Sequence, residues 1–405
     1  MSRTVEQEFS KTAADGTPVG PDGGPAQPLV RVLHINNGNL YGGVETILVT
    51  LARLRQLCPD MEPHFGLCEA GRLSEELQAE RVPVYFFGRV RISRPWTVWR
   101  ARRRLRRLLA SEQFDFVICH MSWSLAVFGS AVRASRVKLG FWAHGFFHNG
   151  QPWLEGLAGR TRPDFTIANS CYTETGAAKL FPSGPRTVIY PPLTLPAPTS
   201  DEARFMARRQ LGVDDETVVI IQVSRLESWK GHQLHLEALS QLKTRNKWVC
   251  WIVGGAQKPE EHEYLTQLQT GAAEMGLKDR VRFLGQRADV PTLLAAADIF
   301  CQPNQVPEPF GMVFVEALWA GLPIVTTALG GALEIVDQGC GLFVSPDQPG
   351  DLAAALSKLI ESPELRARLG RGQARAVELC DPATQMSKLR NFFSQYNIMG
   401  KPTCL

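Results

Sequence analysis

The chain has 405 residues, 44% apolar side chains and a formal net charge of +4. That length suits about two to three domains with sizeable cores, and the charge is too small to suggest a dedicated nucleic-acid binder. Nine cysteines lie far apart with no Cys-x-x-Cys pair, and their odd number argues against a closed disulfide framework and for a reducing, cytoplasmic setting.

Residues 1–28 are polar, rich in Gly, Pro and Asp, and contain no apolar core. The expectation is a disordered tail, neither a signal peptide nor a membrane anchor. No stretch reaches the roughly 18 to 20 uninterrupted apolar residues of a spanning helix, so any membrane contact is expected to be peripheral. Cys404, next to last, does not fit a prenylation box.

Leu29 to Ile35 is a dense β-branched run, followed by a loop from Asn36 to Gly43 and an apolar helical start at Val44 to Leu48. Glycines at such a turn, Gly42 and Gly43, let backbone approach a phosphate or a second substrate, and the helix amino end adds partial positive charge. Short strands are then expected at Pro63 to Leu67, Val82 to Phe87, Phe114 to Cys119 and Val137 to Trp142, alternating with helices, which implies a doubly wound, mostly parallel sheet. His120 and His144 fall at the carboxyl ends of two of these strands. A lone histidine is usually a satisfied structural residue, and His120 is read that way.

Between those strands, Arg89 to Leu109 is the most biased segment of the chain, with no acid in it. Val98, Ala101, Leu105, Leu108 and Leu109 fall at helical spacing, so one face can pack while Arg100, Arg103, Arg104 and Arg107 point outward. Two readings stand side by side. The arginines form a solvated face, or segment 89–107 is drawn to an anionic membrane surface, where each basic residue contributes about 1 kcal/mol and tryptophans favour the interface.

Asp164 to Ser170 and Thr187 to Leu193 read as further strands, and Thr194 to Asp201 as a Pro-, Ser- and Thr-rich linker. A helix over Glu202 to Leu211 leads into a second set of strands. The first of these, from Thr217, runs into Ser224-Arg225-Leu226-Glu227-Ser228-Trp229-Lys230-Gly231. Arg225 with its bidentate fork and Lys230 as a point charge can both reach one diphosphate from the end of a strand. Strands ending in glycine follow at Trp248 to Gly255 and Val281 to Gly285.

Asp298 to Gln302 is a buried strand, and Pro303, Pro307 and Pro309 delay the next helix until after Gly311. Glu308 therefore lies in a loop at a strand's carboxyl end and Glu316 inside the following helix, Met312 to Ala320, where open α/β sheets bind nucleotides. A carboxylate can accept two hydrogen bonds from vicinal hydroxyls, so two of them can hold two rings. Pro323 to Thr327, Gly330-Gly331 and the helix after them repeat the strand, glycine, helix order, and Pro382 to Asn397 is amphipathic. No metal-ligand spacing is present, and no metal or other cofactor is expected.

The Glu308-Pro309-Phe310-Gly311 context with Glu316 eight positions on, the Ser-Arg-x5-Lys-Gly frame and Gly42-Gly43-Val44-Glu45 resemble family 4 retaining glycosyltransferases of the GT-B fold. The resemblance runs from about Leu29 to the end. It implies an α/β protein of two Rossmann-like domains facing across a cleft: an acceptor-side domain over 29–196, a nucleotide-sugar-binding domain over 197–381, and a final helix, 382–405, returning to the first domain. It implies transfer of a hexosyl residue from a nucleotide diphosphate sugar to a sugar, lipid-linked or small-molecule acceptor, with retention, in polysaccharide, glycolipid or other glycoconjugate synthesis. Arg225 and Lys230 would hold the diphosphate, Glu308 the sugar hydroxyls, Glu316 the ribose, and His144 would contact the donor sugar or support the transfer. Gly42, Gly43, Gly254, Gly285, Phe310 and Gly311 complete the implied donor site, with backbone near Gly285 to Arg287 meeting the base. Many such enzymes that use lipid-linked acceptors carry a basic first domain, and peripheral association at the inner face of the membrane would follow. The alternatives are a nucleotide-sugar epimerase of the same fold and a catalytically inactive sugar-nucleotide-binding subunit.

Overall fold

A computed structural model describes residues 29–38, 41–145, 152–242 and 247–399. The tail expected over 1–28, Asn39 and Leu40 of the first glycine loop, and Cys404 lie outside the described residues.

The first half alternates strand and helix: β1 (Val30–Asn36), α1 (Gly43–Arg53), β2 (Met61–Leu67), α2 (Arg72–Ala79), β3 (Val84–Phe86), α3 (Pro95–Ser111) and β4 (Phe116–His120). It continues with α4 (Met121–Arg133), β5 (Lys138–Ala143), α5 (Pro152–Gly159), β6 (Phe165–Ala168), α6 (Cys171–Leu180) and β7 (Arg186–Val188). These strands form one parallel sheet in the order β3-β2-β1-β4-β5-β6-β7. The chain leaves at the β3 edge and re-enters beside β1, so the order reverses between β1 and β4, where a crevice opens at the carboxyl ends.

The second half runs α7 (Asp201–Gln210), β8 (Val218–Val223), α8 (His232–Ser240), β9 (Trp248–Val253), α9 (Pro259–Glu274), β10 (Val281–Gly285), α10 (Val290–Ala296), β11 (Ile299–Gln302) and α11 (Met312–Trp319). It ends with β12 (Ile324–Thr327), α12 (Ala332–Ile335), β13 (Gly341–Val344), α13 (Pro349–Glu361), α14 (Pro363–Leu369), α15 (Gln373–Cys380) and α16 (Pro382–Met399). Its parallel sheet, β10-β9-β8-β11-β12-β13, has the equivalent reversal between β8 and β11. Sheets covered on both faces need strands that are apolar throughout. All six residues of β9 are buried, and so are Phe116 to Cys119 of β4.

Strand β7 is shorter than the expected Thr187 to Leu193, because Pro191 and Pro192 have no N–H to give a ladder. Strand β13 was not anticipated; four residues between glycines and turns carry too little periodicity. Helix α16 packs on the first sheet. Phe393 is fully buried, its ring 4.8 Å from Phe116 and 6.0 Å from Phe165, and Arg390 Nε lies 2.7 Å from Asp60 Oδ2. Burial of a phenylalanine is worth about 1.5–3 kcal/mol, enough to fasten the chain's end across both halves. Among the described residues no helix is long and apolar enough to cross a membrane, and the described cysteines are free thiols.

Helix α3 departs from the outward fan of arginines. Arg102 turns inward, its guanidinium donating to the carbonyls of Val127 (2.5 Å) and Ala126 (3.1 Å) on α4. Arg104 donates to Phe87 O at 2.9 Å, so its charge is tied to the loop before the helix although the residue is exposed. Helical spacing fixes which side a residue leaves from, whereas a long side chain can fold back to a carbonyl.

Candidate functional site

A cleft of about 530 Å³ opens where the two sheets' carboxyl ends face each other. Tyr41 to Val44, Met121, His144 and Asn169 line it from the first sheet, and Ser224, Arg225, Trp229, Lys230 and Glu308 to Val313 from the second. Of the residues singled out in the sequence, Gly42, Gly43, His144, Arg225, Lys230, Glu308, Phe310 and Gly311 thus border one space.

The Ser224 to Lys230 loop hangs on buried polar residues. Gln222 Nε2 donates to Lys230 O at 2.9 Å, and Gln222 Oε1 is 2.8 Å from His235 Nδ1. Ser224 Oγ is 3.0 Å from His232 Nε2. Burial pushes His235 down to about 3 and His232 to about 4, so both are neutral braces. Lys230 Nζ reaches Glu308 Oε2 at 2.5 Å and sits 4.0 Å over the Trp229 ring. Arg225 Nη2 is 3.0 Å from Glu227 Oε2, which also accepts from Trp229 Nε1 at 3.0 Å.

Glu308 is 8% exposed. Its Oε2 carries Lys230 and, at 3.2 Å, Asn304 Nδ2; among the described residues its Oε1 has no partner. That oxygen remains to accept from a ligand hydroxyl. The loop behind it is clamped by Gly331 N, which donates to Glu308 O at 2.7 Å. Gly311 has φ +96 and caps α11, and a Cβ there would meet Phe314 at 2.5 Å and Glu308 Cγ at 3.0 Å, so only glycine lets the loop turn into the helix. Gly311, Met312 and Val313 at the amino end of α11 line the cleft with Arg225 and Lys230, so the partial positive charge of the helix end joins two cations in a surround suited to a phosphate.

From the first sheet, Glu45 Oε2 accepts Gly42 N at 3.0 Å and closes the turn ahead of α1. Burial raises the Glu45 carboxyl, an effect offset by the backbone N–H groups it accepts and by nearby Arg225. Met121, with φ +67, opens α4 in a left-handed conformation that costs of order 1–3 kcal/mol and lines the same cleft.

Three expected residues stand elsewhere. Glu316 borders a second groove, formed with the connector Leu193 to Thr199, Arg204, Pro291 and Trp319. Burial raises its carboxyl, and among the described residues no hydrogen bond or ion pair reaches it. Gly254, at φ +156, is pressed on the Ser224 carbonyl, where a Cβ would lie 1.9 Å from the oxygen; its N–H donates to Gly285 O at 2.9 Å. Both glycines shape loops next to the cleft without lining it. Phe310 offers the cleft only main chain, for its side chain is 2% exposed and stacks on Tyr190 at 5.3 Å.

Sequence reasoning missed Trp229 under Lys230, Asn304 behind Glu308, and Met121. Trp229 could have been found, since it adjoins Lys230 in the same frame; Asn304 and Met121 give no local signal. His120, read alone as structural, contacts His144 directly: its Nδ1 lies 2.8 Å from His144 Nε2. Among the described residues no group of three or more His, Cys, Asp or Glu is placed to hold a metal ion.

Comparison with known proteins agrees with this geometry. The family model for "Glycosyltransferase Family 4" matches residues 41–195 and that for "Glycosyl transferases group 1" matches 204–375. The chain is similar to D-inositol 3-phosphate glycosyltransferase of Corynebacterium jeikeium, 38% identical over 179 residues, which is 43% of this chain and 42% of that protein. It is also similar to mannosylfructose-phosphate synthase of Agrobacterium fabrum, 34% identical over 180 residues, 43% of this chain and 39% of that protein. The matched stretch therefore spans less than half the length of these curated relatives. Among solved structures, Anabaena HepE in complex with UDP-glucose superposes with a TM-score of 0.78 and 27% identity, over 90% of this chain and 99% of that one. The lipopolysaccharide glycosyltransferase WaaG, at 17% identity and a TM-score of 0.67 over 90% of this chain and 99% of that one, shares the fold. With one family model on each sheet, and a cleft between two Rossmann-like domains, the chain belongs to the family 4, group 1 glycosyltransferases of the GT-B fold.

Proposed function

We propose that the protein transfers a hexosyl residue from a nucleotide diphosphate sugar to an acceptor hydroxyl, with retention at the anomeric carbon. The observation that carries this reading is the Lys230–Glu308 pair, 2.5 Å apart, in a cleft shared with Arg225 and the α11 amino end. As the sugar–phosphate bond breaks, negative charge grows on the leaving diphosphate, and preorganised cations there stabilise the transition state more than the ground state. Glu308 Oε1 positions the sugar hydroxyls, and Glu316 serves the ribose from the neighbouring groove. No side chain is needed as a covalent nucleophile, because the leaving phosphate can itself take the acceptor's proton.

The positive charge comes from Arg225, Lys230 and helix dipole, so the reading needs no divalent metal, and turnover should survive EDTA. HepE, in complex with UDP, glucose and UDP-glucose, supports a uridine diphosphate hexose as the first donor to try. The acceptor side is the basic first domain. Exposed Trp96 and Trp99 lie beside Arg100, Arg103, Arg106 and Arg107 on α3, which supports a cytoplasmic enzyme resting on an anionic membrane and taking a lipid-linked acceptor.

The test is a panel of nucleotide sugars with and without acceptor extracts, following diphosphate release and the anomeric configuration of the product by NMR. Release that requires acceptor and a product of unchanged configuration support retaining transfer. Interconversion of sugars without acceptor would make the protein an epimerase, and binding without turnover an inactive subunit.

A further inference from the structure

Three histidines from neighbouring strands form a continuous chain beneath the cleft. His34 Nδ1 on β1 lies 3.0 Å from His120 Nε2 at the end of β4, and His120 Nδ1 lies 2.8 Å from His144 Nε2 just beyond β5. They are 1%, 1% and 6% exposed. Aromatic rings hold them in place, with Trp142 stacked at 5.3 Å from His120 and 5.4 Å from His144, and Phe65 at 5.5 Å from His34. The far nitrogen, His144 Nδ1, is buried without a protein partner at the cleft wall.

Burial pushes His34 and His144 down to about 3 and His120 well below its ordinary value, so all three rings are neutral at physiological pH. Three neutral imidazoles carry three N–H protons. Two must lie in the two nitrogen–nitrogen hydrogen bonds, and the third sits at one end, on His34 Nε2 or on His144 Nδ1. Placing it at one end fixes the tautomer of every ring. Among the described residues neither His34 Nε2 nor His144 Nδ1 has a hydrogen-bond partner, but His144 lines the cleft, where a ligand oxygen can meet it, and His34 does not. An orphaned buried N–H is rarer than an unused acceptor, so the third proton belongs on His144.

We propose that His120 and His34 are positioning residues that lock His144 with its proton on Nδ1, presenting the cleft with a neutral N–H donor for an oxygen of the bound sugar. In this state His144 Nε2 is occupied by His120 and Nδ1 carries the proton, so His144 donates a hydrogen bond and does not act as a general base. The proposal rests on the reading of the cleft as the donor-sugar site only for the identity of the oxygen; the tautomer itself is a property of the unliganded protein.

The experiment is two-bond ¹H–¹⁵N correlation NMR on the full chain carrying ¹⁵N-histidine at neutral pH, with assignments from single substitutions. The expected result is protonated Nδ1 and bare Nε2 on His34, His120 and His144 alike. His120→Phe keeps a ring against Trp142 but removes both nitrogens; His144 should then shift toward the Nε2-protonated form, and UDP-glucose binding should weaken roughly tenfold, the loss of one hydrogen bond. His120→Asn, whose amide can replace Nδ1, should restore the His144 signature and most of the binding, and it keeps the test alive should the Phe variant not fold. A wild-type His144 protonated at Nε2, or a tautomer unmoved by His120→Phe, overturns the proposal. Should the tautomers be as expected while no nucleotide sugar perturbs the His144 signals, the positioning role stands and the reading of the cleft fails.

Discussion

Glu334 of the second domain lies 3.0 Å from the hydroxyl of Tyr190, and the same carboxylate accepts the backbone N–H groups of Cys171 at 2.9 Å and Tyr172 at 2.8 Å. Those N–H groups open α6 and have no partner within their own helix, so a carboxylate from across the interface caps it. Burial, with Glu334 adding to it, holds the Tyr190 hydroxyl protonated well above its ordinary range, so it remains a donor. Tyr190 in turn stacks on Phe310, next to Glu308.

Removing this bridge should therefore loosen the interface. Glu334→Ala is expected to cost about 1.5–3 kcal/mol, the scale of hydrogen bonds to a charged group, read as a lowered urea midpoint. Glu334→Gln should cost less, because one carbonyl oxygen remains. A change below about 0.5 kcal/mol for Glu334→Ala, the range of ordinary surface substitutions, would show that the bridge does not hold the domains.

Arg225→Ala and Lys230→Ala should each lower turnover by roughly a hundredfold or more, as losing one preorganised charge-stabilising group does. The double variant should lose less than the product of the two, since both cations would act on the same leaving group. Lys230→Ala also strips Glu308 of its cation, so donor binding should suffer more than in Arg225→Ala, whose guanidinium is held by Glu227. Near-normal transfer by both single variants would place the diphosphate elsewhere.

Strands were legible in the sequence because parallel strands covered on both faces must be apolar throughout, as in Trp248 to Val253. That Arg225, Lys230 and Glu308 would share one cleft was legible because each follows such a strand, and strand ends in doubly wound sheets converge. What the sequence hid depends on neighbours in space. His34 and His120 meet across 86 positions, and nothing in the apolar runs around them signals that their rings bond. Phe310 sits in a matched motif, yet its ring turns into the core to meet Tyr190, a direction that backbone geometry and not spacing decides. Glu334 lies in the short helix α12, and its role comes from α6 of the other domain, whose first N–H groups it accepts.

Glu316→Gln should weaken donor binding more than it slows the chemical step, because a ribose contact is made equally in ground and transition states. The unliganded protein supplies a second readout. Burial raises the folded-state pKa of Glu316, so the folded form binds more protons than the unfolded one as pH rises from the ordinary carboxylate value to the raised one, and stability falls across that window. At neutral pH the carboxylate is thus a burden on the empty enzyme, and Glu316→Gln should raise its melting temperature while the acid-side difference vanishes. A large fall in turnover at unchanged donor KM would sink the ribose assignment.

The last prediction concerns α3, where one of the four arginines expected to point outward, Arg104, is tied to the chain, as is Arg102. Arg102 is spent on α4 carbonyls and Arg104 on Phe87 O, which leaves Arg100, Arg103, Arg106 and Arg107 as the exposed cations, with Trp96 and Trp99 56% and 54% exposed beside them. Such a set should bind anionic vesicles by an attraction that weakens as salt shortens the Debye length from about 10 Å at 0.1 M to about 3 Å at 1 M. Changing the four to Gln should release the protein from phosphatidylserine vesicles and leave UDP-glucose binding intact, since none of them lines the cleft. Trp96→Ala with Trp99→Ala should weaken binding without changing its salt slope, because the tryptophans contribute by interfacial burial and not by charge. Arg104→Gln is the internal control: it should lower thermal stability through the lost Phe87 contact and change vesicle binding little. Co-sedimentation at low and high salt reads all of these, and binding that ignores both salt and the four substitutions would leave α3 as a solvated face and remove the case for a lipid-linked acceptor.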